Sequence, residues 1–347
     1  MKKYLLLINA LACAFLYPVF GKDIVKTNTY TNPVKTSDGK PILLADPFVY
    51  EHKGTYYMTG TTANGFDYEG FDYYTSKDLI TWEFKGALFR KTKQHFGAGA
   101  FWAPEVKFYK GKFYMTYSCL DAQKGILLSC LAVSDTPNGP FQELYSPWFD
   151  LGYSAIDCHI FVDNDKNQTP YLYFSKNGNQ DGYTYGEIYG VKLKPDLSGF
   201  EGEPQLISQA SQSWEKVRYN VNRCNEGPFV IKKKNTYYMT YSANDTGYSN
   251  YGVGVSTASH PLGAWTKYED NPLFTTDLDN EISSPGHNSI VMSPNGKEMF
   301  IIYHRHADAH GDRPSFDRVV CIDRIYIDKK GKLKIIGPTN TPQRIPR

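Results

Sequence analysis

Five short stretches of this sequence carry residues able to do chemistry. They are Ala45-Asp46-Pro47, Trp102-Ala103-Pro104-Glu105, Ile156-Asp157-Cys158-His159, Asn225-Glu226-Gly227-Pro228 and Gly286-His287-Asn288. Each stands just before or at the start of an apolar run. Read as one repeated position, they bring four carboxylates and an imidazole to one small funnel. Carboxylates crowded in a partly buried site raise one another's pKa, and a fold gains nothing structurally from that arrangement. Singly, each reads as a turn cap or an arginine partner; together they read as a site. Such a cleft suits glycosidic hydrolysis, in which one carboxylic acid protonates the leaving oxygen and a carboxylate across the sugar activates water. A water between the two needs a gap of about 6.5–9.5 Å, the inverting arrangement. A third carboxylate would keep the acid's pKa high and hold its orientation.

The elements that must position these residues also repeat. A strand–turn–strand unit appears at Phe48-Val49-Tyr50 with Tyr56-Tyr57-Met58-Thr59, and again at Val106-Lys107-Phe108 with Phe113-Tyr114-Met115-Thr116-Tyr117. It recurs at Ile160-Phe161-Val162 with Tyr171-Leu172-Tyr173-Phe174, at Phe229-Val230-Ile231 with Tyr237-Tyr238-Met239-Thr240-Tyr241, and at Ile290-Val291-Met292 with Met299-Phe300-Ile301-Ile302-Tyr303. The intervening turns are polar and most hold Gly or Asn, as hairpins require. A third apolar strand and a turn into a fourth follow each unit. Five periods of four strands predict an all-β fold, a five-bladed β-propeller around a central channel. A β-sandwich has no reason to repeat one four-strand order. The polar segment from Lys22 to Lys40 is expected to pack on or close the ring, and the turn-rich tail after Gly337 to complete the contact between the ends.

Composition agrees with many short strands and tight turns: 28 Tyr, 20 Phe, 5 Trp, 29 Gly and 20 Pro in 347 residues. The formal net charge of +2 gives no basic field, so nucleic acid is not an expected partner. Lys2-Lys3, the apolar run Tyr4 to Phe20 and a small-residue site at Val19-Phe20-Gly21 predict an export signal over residues 1–21, leaving 22–347 as a single domain. The run is short for a membrane anchor, no other stretch is long enough to span a bilayer, and lipid attachment at Cys13 is a minor reading. Of the mature cysteines, Cys119 and Cys130 flank a hairpin and are placed to pair in an oxidising compartment, or to remain buried thiols. The cysteine spacings match no zinc signature.

At this point the residues resemble glycoside hydrolase family 43. Ala45-Asp46-Pro47, Ser76-Lys77-Asp78-Leu79 with Trp82, the WAPEV at 102–106, Ile156-Asp157, Asn225-Glu226-Gly227-Pro228 and Gly286-His287-Asn288 match it in order and spacing over nearly the whole mature chain. The resemblance implies that Asp46 is the general base, Glu226 the general acid and Asp157 the pKa modulator. It implies that Trp102 forms part of the wall around the cleaved sugar. His287 would sit at the channel floor, near an ordered water or a structural calcium ion, or serve only as a hydrogen-bonded structural residue; no cofactor is required. Glu105 matches a family residue outside the chemistry. Arg318 resembles an arginine that reaches the sugar hydroxyls, with Arg305 and Arg313 as alternatives. Fructan-cleaving and sialidase-like propellers resemble the chain less, because only one of the former's motifs is present in part and an Asp-box-like turn occurs once.

The expected function is an exported, monomeric, inverting exo-glycosidase that releases terminal α-L-arabinofuranose from arabinan or arabinoxylan. β-Xylosidase or xylanase-type activity on xylan and endo-arabinanase activity are alternatives on the same scaffold. A non-catalytic carbohydrate-binding propeller is the alternative of another class; its mark would be loss of one of the three acids. Substrate choice is expected to lie in loops Thr62–Gly70, Gln94–Ala100, Asn177–Tyr185 and His304–Phe316. Tyrosines in Gly65-Phe66-Asp67-Tyr68 and Gly182-Tyr183-Thr184-Tyr185 are expected to stack on sugar faces.

Overall fold

A computed structural model describes residues 28–62, 68–310 and 317–347. The export signal, Cys13, Gly65-Phe66-Asp67 and Arg313 lie outside the described residues. Those described are all-β, with two short 3-10 turns and no α-helix, and no helix among them is long and apolar enough to cross a membrane.

Five inner strands organise the chain: Leu44–His52, Trp102–Tyr109, Ser154–Val162, Asn222–Lys233 and Gly286–Met292. Each pairs antiparallel with the strand that follows it, and a third strand pairs with that second one. A short fourth strand completes most units, as at Gln142–Tyr145 and Leu333–Ile336. The inner strands touch in a closed cycle, first to second, second to third, third to fourth, fourth to fifth and fifth to first.

The apolar core follows the same cycle, with one cluster at each junction between neighbouring units. Phe71 and Phe89 meet Val106 and Met115. Leu131 meets Leu172 and Phe174. Phe161 and Tyr173 meet Val230 and Met239. Val253 and Val255 meet Ile301 and Tyr303. Leu44 and Met58 meet Phe300 and Ile322, which joins last to first. Alternating strands thus send one face to each neighbour, which is why the strands read as nearly continuous apolar runs.

The ends tie the cycle shut. Thr29–Tyr30 pairs with Gln343–Arg344, Tyr30 and Asn32 both donate to the Ile322 carbonyl, and Lys35–Thr36 adds a parallel strand beside Thr81–Arg90. The segment expected to be a loop at Asn177–Tyr185 is instead a hairpin, because Asn177 to Gln180 pair in register with Tyr183 to Gly186 around the turn Asp181-Gly182.

Candidate functional site

All five inner strands carry the same defect near their start. Pairing with the second strand skips between Ala45 and Phe48, Trp102 and Glu105, Ile156 and His159, Glu226 and Phe229, and Gly286 and Ser289. The first skipped residue is Asp46, Ala103, Asp157, Gly227 or His287, and each is left-handed, with φ of 50°, 44°, 55°, 55° and 46°. A β-bulge of this kind re-aims side chains, and non-glycine residues in this region cost about 1–3 kcal/mol each, a strain that gathers at functional sites.

The bulge corrects the reading of the five motifs as one position. Asp46, Asp157 and His287 share the bulge position. Glu226 stands one residue before it, where the second strand has Trp102, and Glu105 stands two residues after it, deeper along the channel. Glu105 Oε2 is 2.7 Å from His159 Nδ1, and the Val230 N–H donates to His159 Nε2. Burial pushes Glu105 well up and His159 down to about 3, which favours the uncharged form of both, while Glu105 still bears on Asp157 and His287.

Asp46 is the best-served anion. Thr61 Oγ1 donates to its Oδ2 at 2.6 Å, while Oδ1 lies 3.3 Å from His287 Nδ1 and 3.8 Å from an Arg318 nitrogen. Burial alone would raise its pKa; His287 and Arg318 outweigh burial and hold it at about 2. The Asp46 backbone N–H donates to His304 Nδ1 at 3.0 Å, and burial holds His304 neutral, so the 3.4 Å approach of His304 to Oδ1 is no ion pair. Thr61 is itself fixed, since the Ala103 N–H donates to its oxygen.

Glu226 is the opposite case. Tyr251 donates to Oε1 at 2.7 Å and the Cys224 thiol to Oε2 at 3.2 Å. Burial and the neighbouring Asp157 push its pKa up to about 7. Asp157 is buried, accepts from the Gly227 N–H at 3.1 Å, and is raised to about 6 by burial and by Asp46. One carboxylate stays ionised through the acidic range, and one carboxyl keeps its proton to near neutrality. That division supports proton transfer in both directions across the funnel.

His287 is buried, its backbone N–H donates to Ser242 Oγ, and its ring lies against Gly227. A Cβ on Gly227 would stand 3.2 Å from that ring. Trp102 is partly exposed and stands one residue before the bulge of the second inner strand. Arg318 is brought to Asp46, whereas Arg305 is turned away: its NH1 is spent on the Glu281 and His306 carbonyls. Among the described residues, no three acidic or imidazole groups of the funnel bring their ligand atoms within metal reach of one another.

Sequence reading missed Thr61, Tyr251 and His304. Thr61 and His304 come from second strands and Tyr251 immediately precedes a third, where no motif marks them. The one signal was indirect: Gly286 must be glycine because a Cβ there would fall 2.2 Å from the Tyr251 ring. The loop tyrosines expected to stack on sugars are engaged within the chain, Tyr68 under Arg90 and Tyr183 under Arg223.

With this geometry in view, comparison with known proteins is specific. The family model for glycosyl hydrolases family 43 matches residues 30–333. An extracellular exo-α-(1→5)-L-arabinofuranosidase of Streptomyces avermitilis is 28% identical over 82% of this chain, which spans 58% of that relative's length. A β-D-galactofuranosidase of Aspergillus niger is 27% identical over 94% of this chain and 92% of its own. Among solved structures, a thermostable family-43 glycoside hydrolase is 43% identical with a TM-score of 0.84, over 92% of this chain and 99% of that one. An endo-1,4-β-xylanase of Bacteroides thetaiotaomicron is 32% identical with a TM-score of 0.75, over 88% and 97%. The chain belongs to glycosyl hydrolases family 43, a family of enzymes that hydrolyse glycosidic bonds.

Proposed function

We propose that the five units are the blades of a five-bladed β-propeller formed by residues 22–347, and that its channel mouth is the active site of an inverting exo-glycosidase. The observation that carries this is the separation of two carboxyl groups in one funnel, Asp46 held at about 2 and Glu226 pushed up to about 7. Glu226 is the general acid that protonates the leaving oxygen. Asp46 is the general base that takes a proton from the attacking water. Asp157 keeps Glu226 protonated and stays out of bond making. Trp102 walls the sugar subsite, Arg318 reaches its hydroxyls, and His287 forms the floor.

The sugar is a terminal α-L-arabinofuranose of arabinan or arabinoxylan. The names of the Streptomyces and Aspergillus relatives support this, since both act on furanosides. The xylanase among the solved neighbours favours xylan as the second reading. Export, by residues 1–21, is supported by the extracellular relative, and the protein acts as a monomer.

The test offers aryl α-L-arabinofuranoside and aryl β-xyloside to the purified protein and to Glu226→Gln. Release of arabinose by the wild type and a loss of about 10²–10⁴-fold in the variant are expected. Release from neither substrate would overturn the exo-glycosidase reading. Unchanged rates in the variant would remove Glu226 from its role.

A further inference from the structure

We infer that His95, Cys119 and Cys130 form a zinc-binding site inside the second unit, separate from the carboxylate funnel. Their ligand atoms all lie within 4.8 Å of one another, and all three residues are buried. The Cys119 and Cys130 sulfurs are 3.9 Å apart. Two thiolates on a tetrahedral zinc, with bonds of about 2.3 Å, stand ~3.8 Å apart. The thiols are already at the spacing the metal requires.

A disulfide fits the same pair poorly. Strand register sets Cys119 opposite Leu128 and Cys130 opposite Tyr117, so the two cysteines are diagonal neighbours. Diagonal positions lie about 7–8 Å apart, beyond the ~4.4–6.8 Å between α-carbons that a disulfide accepts. A metal bridges that diagonal; a sulfur–sulfur bond would have to pull the strands together.

The histidine would give the metal its Nδ1. The Gly97 N–H donates to the Nδ1 lone pair at 2.8 Å, so zinc takes that lone pair in place of the Gly97 N–H, and Nε2 stands 2.9 Å from the Tyr117 hydroxyl. Nε2–H therefore donates to Tyr117, an outer partner of the kind that fixes ligating imidazoles. Gly97 keeps the gap between ligands open, because a Cβ there would stand 2.9 Å from both Cys119 Sγ and His95 Nδ1. On binding, each thiol loses its proton, and two thiolates, a neutral imidazole and a water in the fourth position leave the charge of Zn(II) cancelled. A neutral complex suits surroundings of Phe71, Phe89 and Phe101, where net charge would be costly. Copper(I) would leave one negative charge there.

The site has a structural consequence. His95 sits in the segment between Arg90 and Trp102, which is otherwise fastened to the second unit by backbone bonds between Ala98 and Leu120 and between Leu120 and Gly99. Zinc would pin to the sheet the segment that delivers Trp102 to the funnel.

The test uses the full chain, purified under reducing conditions, stripped with chelator, loaded with zinc and desalted. Elemental analysis is expected to find a single zinc per chain, loading to release two protons, and cobalt(II) in its place to give thiolate-to-metal absorption. Cys119→Ser and His95→Gln should each abolish retention while circular dichroism stays that of the wild type. If the cysteine variant does not fold, His95→Gln and the zinc-dependent rise in wild-type Tm, reversed by chelator, carry the test. No zinc retained by the wild type, equal retention in His95→Gln, retention of copper(I) alone, or a Cys119–Cys130 disulfide in the peptide map of the reduced preparation would each overturn the assignment.

Discussion

The imidazole of His304 lies flat against the ring of Tyr251, with centroids 5.9 Å apart and planes within 4°. His304 accepts from the backbone N–H of Asp46, and Tyr251 donates to Glu226. The stack therefore links the proposed base and the proposed acid through one rigid contact, although they stand on the first and fourth inner strands. Moving either ring moves a hydrogen bond to a carboxyl-bearing residue on the other side of the funnel.

Tyr251→Phe keeps this stack and removes only the hydroxyl. The hydroxyl's hydrogen bond favours the ionised form of Glu226, and so lowers a pKa that burial and Asp157 raise. Without it the pKa rises above its present value of about 7. A general acid must be protonated to act, so the alkaline limb of kcat/KM should move to higher pH. A pH–rate profile with an unmoved alkaline limb would show that Tyr251 does not tune Glu226.

Asp157→Asn should move the same limb the other way. The Asp157 carboxylate raises the Glu226 pKa, and neutral Asn removes that repulsion while keeping an oxygen for the Gly227 N–H. Glu226 then ionises at lower pH, and activity is lost sooner as pH rises. The wild-type acid limb, set by Asp46, should lie near pH 2. Opposite displacements in the two variants, measured on one aryl glycoside, distinguish electrostatic tuning from general loss of structure.

Asp46→Asn addresses the water-activating step. Asn accepts from Thr61 and can keep the geometry, but it takes no proton, so a loss of about 10²–10⁴-fold is expected. Proton NMR of the first-formed anomer from the wild type checks the same assignment. Inverted configuration agrees with water attacking directly, and retained configuration would require a covalent intermediate instead.

The strand pattern made the five units legible, because each inner strand is apolar on both faces and each hairpin turn is polar. Asp46, Asp157 and Glu226 were legible for a related reason, since charges at the entry of such strands have no structural use. What sequence could not show was the bulge. It sets two residues against one of the partner strand, and which of them faces the channel depends on φ rather than on residue type. Glu226 and Glu105 therefore read as equivalent to Asp46, although they lie at different depths. Tyr251 and His304 were invisible for want of a repeat, and the approach of His95 to Cys119 and Cys130 depends on where a non-repeating segment folds back.

Gly227→Ala separates strain at this bulge from stability in general. Gly227 has φ of 55°, its N–H donates to Asp157, and an added methyl would stand 3.2 Å from the His287 ring. Alanine in this region costs about 1–2 kcal/mol, and the His287 ring must also yield by a few tenths of an ångström. Gly54 is the control: its φ is 72° and nothing lies within 4 Å of an added Cβ. Both variants carry the backbone cost, so both should lower Tm, Gly227→Ala by somewhat more. Only Gly227→Ala disturbs the donor to Asp157 and the floor under Asp46, so only its kcat/KM should fall, by more than its lost stability accounts for at a temperature where both variants are folded. Equal activity in the two variants would mean that the bulge shapes the fold without shaping the site.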